Sequence, residues 1–298
     1  MMEVHFEIEN RCLLQCRHCS SNAGAAGKTM EYELKDMASF LGRLPGHKTV
    51  FFTGGEPLLN KNYELMLKTL KKDVPNISLG MFTSGILENS GEMYPVSEEY
   101  AELLVNSGLE ICYFSIYDVK EKEHDWMTGR QGSFQITEAS VKHFLTQGAD
   151  IRFNLVVTQK NKERILDIID LAGSWGGSEV RLLKLVNHGR AEKSWNTIGI
   201  KEEDYSQIVR QTYKANEQIR ITASSCTDIL PCRPMPNAEK CQAGTRLLYV
   251  TFEGAIFPCA CVKNNPKYMI GNIKDDIDWH KYFEKKGTCN ERALCEKV

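Results

Sequence analysis

The segment Val4–Cys19, VHFEIENRCLLQCRHC, decides the fold of this chain. Its first residues alternate apolar and polar side chains, which predicts a β-strand whose polar side faces either solvent or an active site. Cys12, Cys16 and Cys19 follow directly after this strand. Because chemistry in a parallel α/β sheet lies at the C-terminal ends of the strands, the three thiols occupy the position of an active site.

Outward from this segment, residues 3 to about 185 alternate short apolar strands with amphipathic helical stretches. Six such repeats require parallel strands with helices outside, which predicts an α/β fold built as an open or partial (β/α)6 TIM-like barrel. Strands are predicted at Val4–Ile8, Thr49–Thr53, Ile77–Phe82, Glu110–Tyr117, Ile151–Val157 and Glu179–Val186. Helices are predicted at Glu31–Leu44, Asn60–Lys72, Glu98–Asn106 (with Ser97 as N-cap), Phe134–Gln147 and Lys162–Ser174.

Beyond residue 186 this alternation stops. Lys201–Gln218 predicts one more helix, and Thr222–Lys240 has the Ser, Pro and Cys content of a loop. Two short apolar runs, Leu247–Phe252 and Ala255–Phe257, flank a Glu-Gly pair and predict a β-hairpin. We therefore expect a core over residues 1–190, a linker helix over 191–220 and a small C-terminal domain over 221–298.

Composition narrows the class of protein. With 37 Lys and Arg against 39 Asp and Glu, the net charge of −2 offers no electrostatic footprint for nucleic acid or an anionic membrane. No apolar run reaches bilayer length, and the N-terminal residues lack the features of a signal peptide. Eleven cysteines, an odd number, argue against a disulfide scaffold. We expect a cytoplasmic protein whose thiols stay reduced for metal or iron–sulfur ligation.

The first cysteine group suits an iron–sulfur cluster. Three thiolates on a tight loop can bind three corners of a cubane and leave the fourth iron open to a small chelating molecule. A zinc knuckle is the alternative, with His18 as the fourth ligand. The spacing Cys12-x3-Cys16-x2-Cys19 resembles the C-x3-C-x-Φ-C signature of the radical S-adenosylmethionine superfamily.

That resemblance implies the chemistry and the cofactors. The methionine amino and carboxylate groups of S-adenosylmethionine chelate the open iron of a [4Fe–4S] cluster. One electron, from an external reductant of the flavodoxin or ferredoxin type, breaks the sulfonium bond. The resulting 5′-deoxyadenosyl radical removes a hydrogen atom from substrate. His18 stands at the Φ position, which implies a place near the adenine.

The second predicted strand ends in a glycine turn. Gly54 and Gly55 allow the backbone to approach a ligand closely, and Pro57 fixes the start of the next turn. With Glu56, this string resembles the GGEP motif of the same superfamily. The resemblance implies that Glu56 contacts the methionine ammonium.

Five further residues are inferred as cofactor contacts. Ser84 stands where relatives often carry the Asn of Thr-Asn-Gly, and Ser115 resembles the family serine near the ribose. Arg130 lies two places beyond the position at which relatives often supply an arginine. Asn154 and Arg181, on the fifth and sixth strands, are either cofactor contacts or ordinary polar lining of the barrel mouth.

The C-terminal cysteines predict a second metal site. The string Cys241-x12-Gly254-x4-Cys259 resembles the auxiliary-cluster region of SPASM and Twitch domains, and Gly254 permits a hairpin that brings the two cysteines to one side. The resemblance implies that Cys289 and Cys295 complete the ligands of an auxiliary [4Fe–4S] cluster in a shortened, Twitch-like domain. Four thiolates suit zinc equally well.

Four cysteines remain outside these sets. Cys226 or Cys232 replaces one of the late ligands, donates a hydrogen atom to a substrate radical as in peptide epimerases, or is a spare thiol, as Cys261 is. Cys112 lies within a predicted strand and is expected to be a buried small hydrophobe.

The resemblance covers most of the chain and implies a function. Relatives with this architecture mostly modify ribosomally synthesised peptides by cross-linking, thioether formation or epimerisation, so a peptide is the expected substrate. The alternative is a small-molecule dehydrogenase or epimerase acting on a sugar or an aminoglycoside-like alcohol. An alternative of another class is a non-catalytic iron–sulfur or zinc protein, which would not cleave S-adenosylmethionine.

Overall fold

The computed structural model describes residues 1–215, 219–223 and 242–286. The strands are β1 (Met2–Glu9), β2 (Lys48–Gly54), β3 (Ile77–Thr83), β4 (Ile86–Asn89), β5 (Glu92–Pro95), β6 (Leu109–Ser115), β7 (Asp150–Val157), β8 (Glu179–Lys184), β9 (Arg220–Ala223), β10 (Leu247–Val250), β11 (Ala255–Phe257) and β12 (Gly271–Asn272). The helices are α1 (Leu34–Arg43), α2 (Tyr63–Asp73), α3 (Glu98–Asn106), α4 (Glu121–Thr128), α5 (Ser133–Thr146), α6 (Ile165–Ser174), α7 (Arg190–Ile198), α8 (Glu202–Ala215) and α9 (Trp279–Lys286).

One sheet organises the described part of the chain. Its strand order is β12-β11-β10-β1-β2-β3-β6-β7-β8-β9, and the strands from β10 through β1 to β9 are all parallel to their neighbours. The six central strands, β1 to β8 without the β4–β5 hairpin, are the six predicted from the repeats. This confirms the parallel α/β architecture of a partial barrel.

The sheet continues past both limits of the predicted core. At one edge β9 pairs with β8, and at the other β10 pairs with β1 from Glu3–Leu247 to Phe6–Val250. The C-terminal hairpin is therefore an extension of the barrel sheet and is hydrogen-bonded to its first strand. Parallel pairing gives the described C-terminal residues a fixed position beside the strand that leads into the first cysteine group.

The polar face of β1 points into the barrel. Phe6 and Ile8 are fully buried in the main core, where Phe6 meets Phe40 of α1 edge-on at 5.9 Å between ring centroids. Glu7 and Glu9 are only 3% and 0% exposed. Because alternate residues of a strand face opposite sides, these carboxylates line the barrel interior and not a solvent-exposed surface.

Local signals located some elements well and missed others. α3 begins after Ser97, whose hydroxyl accepts the Tyr100 amide, as predicted. The β4–β5 hairpin and α4 were not predicted, because each is short and carries little apolar periodicity. The linker helix expected over 191–220 corresponds to two helices, α7 and α8. The hairpin turn has Ser90 and Gly91 at φ of 54° and 89°, the left-handed pair of a type I′ turn.

The predicted C-terminal hairpin is confirmed. β10 and β11 pair antiparallel around Gly254, whose φ is +86°. Across its open end the Gly244 amide donates to the Pro258 carbonyl at 3.2 Å.

Within the described ranges, none of the helices combines the length and apolar character that a bilayer span requires.

Candidate active site

The first cysteine group lies on the loop between β1 and α1, residues 10–24, called here the cluster loop. Cys12, Cys16 and Cys19 are free thiols, of which Cys16 is buried and the other two are half-buried. The Cys19 amide donates to the Cys16 carbonyl at 3.1 Å, and the Cys12 amide donates to Gly24 at 3.0 Å. The loop is thus folded back on itself at the C-terminal end of β1, where a parallel barrel carries its chemistry.

The glycine turn after β2 is joined to the cluster loop through its backbone. The Gly55 amide donates to the Glu9 carbonyl at 2.6 Å, and the Glu56 amide donates to the Arg11 carbonyl at 2.8 Å. A Cβ on Gly54 or Gly55 would lie 2.0 Å from the carbonyl oxygen of Glu9 or Arg11 respectively. Only glycine permits this approach, which brings Glu56 beside the first cysteine.

Glu56 is a buried carboxylate, 2% exposed, with four hydrogen-bond donors. Thr83 Oγ1 donates at 2.6 Å, the Ser84 amide at 2.8 Å, Ser84 Oγ at 2.6 Å and the Leu58 amide at 3.3 Å. Burial raises the pKa of Glu56, while the hydrogen bonds from Ser84, Thr83 and Leu58 oppose that rise. Ser84 therefore acts on the predicted ligand site through Glu56, whose orientation it fixes.

The cysteines share one electrostatic environment. Burial raises the pKa of Cys12 to about 12, and the charge of Glu56 and of Cys19 add to that rise. Burial also raises the pKa of Cys16 well above its ordinary value, with contributions from Cys12 and Cys19. Thiolates at such a site need a bound cation for stabilisation.

The chemical nature of the three thiols in the cluster loop, and not a preformed arrangement of ligands, is what suits an iron–sulfur cubane. Within residues 1–215, 219–223 and 242–286, no three Cys, His, Asp or Glu side chains are already gathered around one point as metal ligands. Cys19 is nevertheless close enough to both other thiols to contribute to the raised pKa values of Cys12 and Cys16. Three soft sulfur donors on one loop are the ligands that an iron–sulfur cluster takes.

His18 offers a neutral nitrogen at the same site. Its ring lies 4.5 Å from the Tyr117 ring, centroid to centroid, and its Nδ1 is buried without a hydrogen-bond partner among the described residues. Burial lowers the pKa of His18 to about 3, and the Arg190 and His124 charges act in the same direction. The unpartnered nitrogen suits either predicted role, adenine neighbour or zinc ligand.

Ser115, Asn154 and Arg181 are side-by-side partners on β6, β7 and β8. Asn154 Oδ1 is buried and lacks a partner in the part of the chain that the structure describes, so it is available to a ligand. Arg181 differs, because its guanidinium donates to the Tyr113 hydroxyl at 2.8 Å and lies 3.5 Å from the Glu3 carboxylate. Glu3 precedes Glu9 by roughly 20 Å of strand, so the Arg181 guanidinium points away from the cluster loop although its backbone is level with that of Asn154.

Two arginines hold the cluster loop by its backbone. Arg130, predicted to contact the cofactor, donates from Nε to the Leu13 carbonyl at 3.1 Å. Arg190 donates from Nε to the Cys16 carbonyl at 2.9 Å and from a terminal nitrogen to Ala23 at 2.6 Å. Sequence reasoning missed Arg190, because a side chain that binds backbone carbonyls leaves no motif.

Lys263, also missed from the sequence, joins the C-terminal segment to the barrel. Its ammonium forms an ion pair with Glu7 of β1 and donates to Ser21 of the cluster loop at 3.1 Å. It also lies 3.4 Å from the Tyr249 hydroxyl of β10. The segment after β11 therefore contacts the cluster loop directly.

The remaining predicted cysteines divide into two groups. Cys259 is buried directly after β11, and Cys112 is fully buried in the core, as predicted for a small hydrophobe. The following predicted residues lie outside the described ranges: Cys226, Cys232, Cys241, Cys289 and Cys295.

Comparison with known proteins gives a consistent result. The profile of the radical SAM superfamily matches residues 6–172, more than half of the chain. The AdoMet-dependent heme synthase of Nitratidesulfovibrio vulgaris is 24% identical over 98% of this chain and 85% of its own length. The PqqA peptide cyclase of Gluconobacter oxydans is 23% identical over 92% of this chain and 74% of its own.

A solved structure reproduces the fold. Streptococcus suis SuiB bound to S-adenosylmethionine superimposes with a TM-score of 0.69 at 16% identity, covering 94% of this chain and 65% of SuiB. The same protein bound to its precursor peptide SuiA superimposes with a TM-score of 0.66. The chain thus spans a little under two thirds of SuiB.

Proposed function

We propose, on the premise that this chain belongs to the radical SAM superfamily, that it removes a hydrogen atom from a ribosomally synthesised peptide. When bound, the [4Fe–4S] cluster and S-adenosylmethionine together supply the 5′-deoxyadenosyl radical that such a reaction uses. Cross-linking, thioether formation and epimerisation are the outcomes that fit this proposal. The chain's own residues bind and orient the two groups.

Residues of the cluster loop and of the strand ends have distinct roles in this proposal. Cys12, Cys16 and Cys19 hold three irons, and Glu56 accepts the methionine ammonium. The four donors around Glu56 fix its orientation, so binding a cation there costs little reorganisation. The unpartnered atom of His18 contacts the adenine end of the cofactor.

The C-terminal segment is proposed to hold the auxiliary cluster. Cys241, Cys259, Cys289 and Cys295 are its ligands in this proposal. This proposal is supported by the hydrogen bond between the Gly244 amide and the Pro258 carbonyl. Gly244 follows Cys241 by three residues in the sequence, and Pro258 immediately precedes Cys259. Residues 221–298 then form the auxiliary domain, attached to the core through β10.

The peptide substrate is carried by one observation. Over 92% of its length the chain resembles a protein named for cyclising a peptide, PqqA peptide cyclase.

The experiment is a substrate screen on the reconstituted full chain under anaerobic conditions. Reduced enzyme receives S-adenosylmethionine with either candidate precursor peptides or sugars and aminoglycosides, and 5′-deoxyadenosine and product masses are measured. A peptide that raises 5′-deoxyadenosine output at least tenfold and changes mass supports the proposal. Stimulation by small molecules alone contradicts it, and the Cys16→Ala chain gives the background.

A small-molecule substrate is the second candidate. The observation that favours it is the match to a protein named AdoMet-dependent heme synthase, which covers 98% of this chain. A tetrapyrrole therefore joins the sugars and aminoglycosides in the screen. Stimulation by any of them, with peptides silent, would move the assignment to this class.

A further inference from the structure

Three side chains form a charged aromatic patch beside the cluster loop: Arg17, Trp126 and Lys160. Arg17 lies between two of the proposed cluster ligands and donates from Nε to the Trp126 carbonyl at 3.0 Å. Its guanidinium carbon lies 4.4 Å from the Trp126 ring centroid, and the Lys160 ammonium lies 5.2 Å from a centroid of the same indole. One half-buried ring thus gathers two cations.

These two cations differ from their basic neighbours in the same region. Lys162 forms an ion pair with Asp204 at 2.9 Å, and Arg164 forms one with Asp118. Among the described residues, neither Arg17 nor Lys160 has a carboxylate within ion-pair distance. The patch therefore presents uncompensated positive charge on a chain whose net charge is −2.

Another side of the cluster loop is closed by apolar contacts. Ile86 of the β4–β5 hairpin is fully buried, and it packs with Leu14 and Cys16. Met93 of the hairpin and Ile136 of α5 join the same cluster. These apolar contacts disfavour a charged partner on that side. The patch differs, because its Lys160 side chain is exposed to solvent.

We propose that the Arg17–Trp126–Lys160 patch is the docking surface for a small acidic protein that delivers single electrons to the cluster. The inference rests on the proposed function, because it needs a cluster on the cluster loop. Opposite charge steers such a carrier and raises its association rate at low ionic strength. The patch also combines Trp with Arg, two residue types that are enriched in protein–protein interfaces.

The test compares two reductants on the reconstituted full chain. Cluster bleaching is followed by stopped flow with a reduced acidic flavodoxin or with photoreduced deazariboflavin, a small neutral donor, at low and high ionic strength. The variant is Lys160→Glu, since that side chain is exposed. Lys72→Glu is the matched control, because Lys72 is an exposed lysine at the C-terminal end of α2, near the opposite end of the barrel.

We expect Lys160→Glu to slow reduction by the flavodoxin about tenfold at low ionic strength. The difference shrinks at high ionic strength, and reduction by deazariboflavin is unchanged. Lys72→Glu keeps the wild-type rate with both donors. Arg17→Gln reproduces the slower flavodoxin reaction with its weaker salt dependence.

Two results would overturn the assignment of this surface. One is a wild-type flavodoxin rate in Lys160→Glu at low ionic strength, and the other is equal slowing in the Lys72→Glu control. In either case, 5′-deoxyadenosine formed with deazariboflavin shows that S-adenosylmethionine cleavage, on which the proposed function depends, still stands. If wild-type protein forms none with either donor, the proposed function itself fails.

Discussion

Two groups of polar side chains inside the barrel differ in how their hydrogen bonds are satisfied. In the first group, His18 Nδ1 and Asn154 Oδ1 are buried without hydrogen-bond partners among the described residues. In the second group, the Tyr113 hydroxyl donates to Glu179 at 2.8 Å and accepts from Arg181 at 2.8 Å. Arg181 also reaches Glu3 at 3.5 Å, across the barrel from its own strand.

The difference separates binding from stability. A buried polar atom without a partner costs free energy that a ligand can recover, while a satisfied network already holds the native state. Glu56 lies between these cases, since four donors satisfy it but no described Lys or Arg forms an ion pair with it. The group of His18, Asn154 and Glu56 is therefore the one with capacity left for a ligand, whereas the Tyr113–Glu179–Arg181 network is structural.

The largest effect is expected at the cluster loop. Cys16→Ala should abolish the iron–sulfur absorbance and S-adenosylmethionine cleavage, because only two of three soft donors remain. Cys112→Ala is the matched control and should keep both, at a cost of about 1–2 kcal/mol in unfolding free energy. Ultraviolet–visible spectra and 5′-deoxyadenosine assays check this. A cluster retained in Cys16→Ala would move the site elsewhere.

Arg181→Met should act on stability alone. Removing one partner of a fully buried ion pair costs about 3–5 kcal/mol, and about 2 kcal/mol is expected here because the Arg181 side chain is 22% exposed. Denaturant unfolding gives the loss, and equilibrium dialysis should give an unchanged Kd for S-adenosylmethionine. A Kd raised tenfold in a folded variant would restore Arg181 as a cofactor contact.

Glu56→Gln should weaken S-adenosylmethionine binding about 10–100-fold. A hydrogen bond to a charged group contributes about 1.5–3 kcal/mol, and about 1.4 kcal/mol is tenfold in Kd. The iron content should stay at the wild-type level, because the cysteines are untouched. Ser84→Ala removes one donor from the same carboxylate and should cost less than Glu56→Gln; equal affinity in wild type and Glu56→Gln would refute the role of Glu56.

Asn154→Ala is expected to have the smallest effect, and it tests whether an unpartnered buried atom serves binding or stability. The Kd for S-adenosylmethionine should rise about fivefold to tenfold, since one neutral hydrogen bond contributes about 1 kcal/mol. The unfolding free energy should shift by less than about 1 kcal/mol, because Oδ1 has no hydrogen bond to lose within the described residues. A large loss of stability with an unchanged Kd would place Asn154 with the structural network.

Sequence was a good guide where one residue decides a local feature. Ser97 marked the start of α3, Gly254 marked the hairpin, and Ala255–Phe257 matched β11 at both ends. Gly54 and Gly55 were expected to let the backbone approach a ligand, and the structure shows them close to other backbone, the Glu9 carbonyl at the end of β1 and the Arg11 carbonyl in the cluster loop. Such features depend on local backbone conformation and capping, which follow directly from the residue type at one position.

Sequence was a poor guide where a side chain acts across the fold. Arg190 and Lys263 bind the cluster loop although each lies at least 171 residues after Cys19 in the sequence. Likewise, β10 pairs with β1 although the two strands are far apart in the sequence. Ser84, predicted as a cofactor contact, lies directly after β3 and donates to Glu56. These pairings follow from tertiary packing, which composition and spacing do not encode.

The most direct test of the central claim is electron–nuclear double resonance on the reduced full chain. S-adenosylmethionine labelled with 15N in the amino group and 17O in the carboxylate is added to anaerobically reconstituted protein. The account predicts hyperfine coupling of both labels to the cluster, absent in Cys16→Ala. Zinc bound at these three sulfurs, or a cluster that couples to neither label, would contradict it.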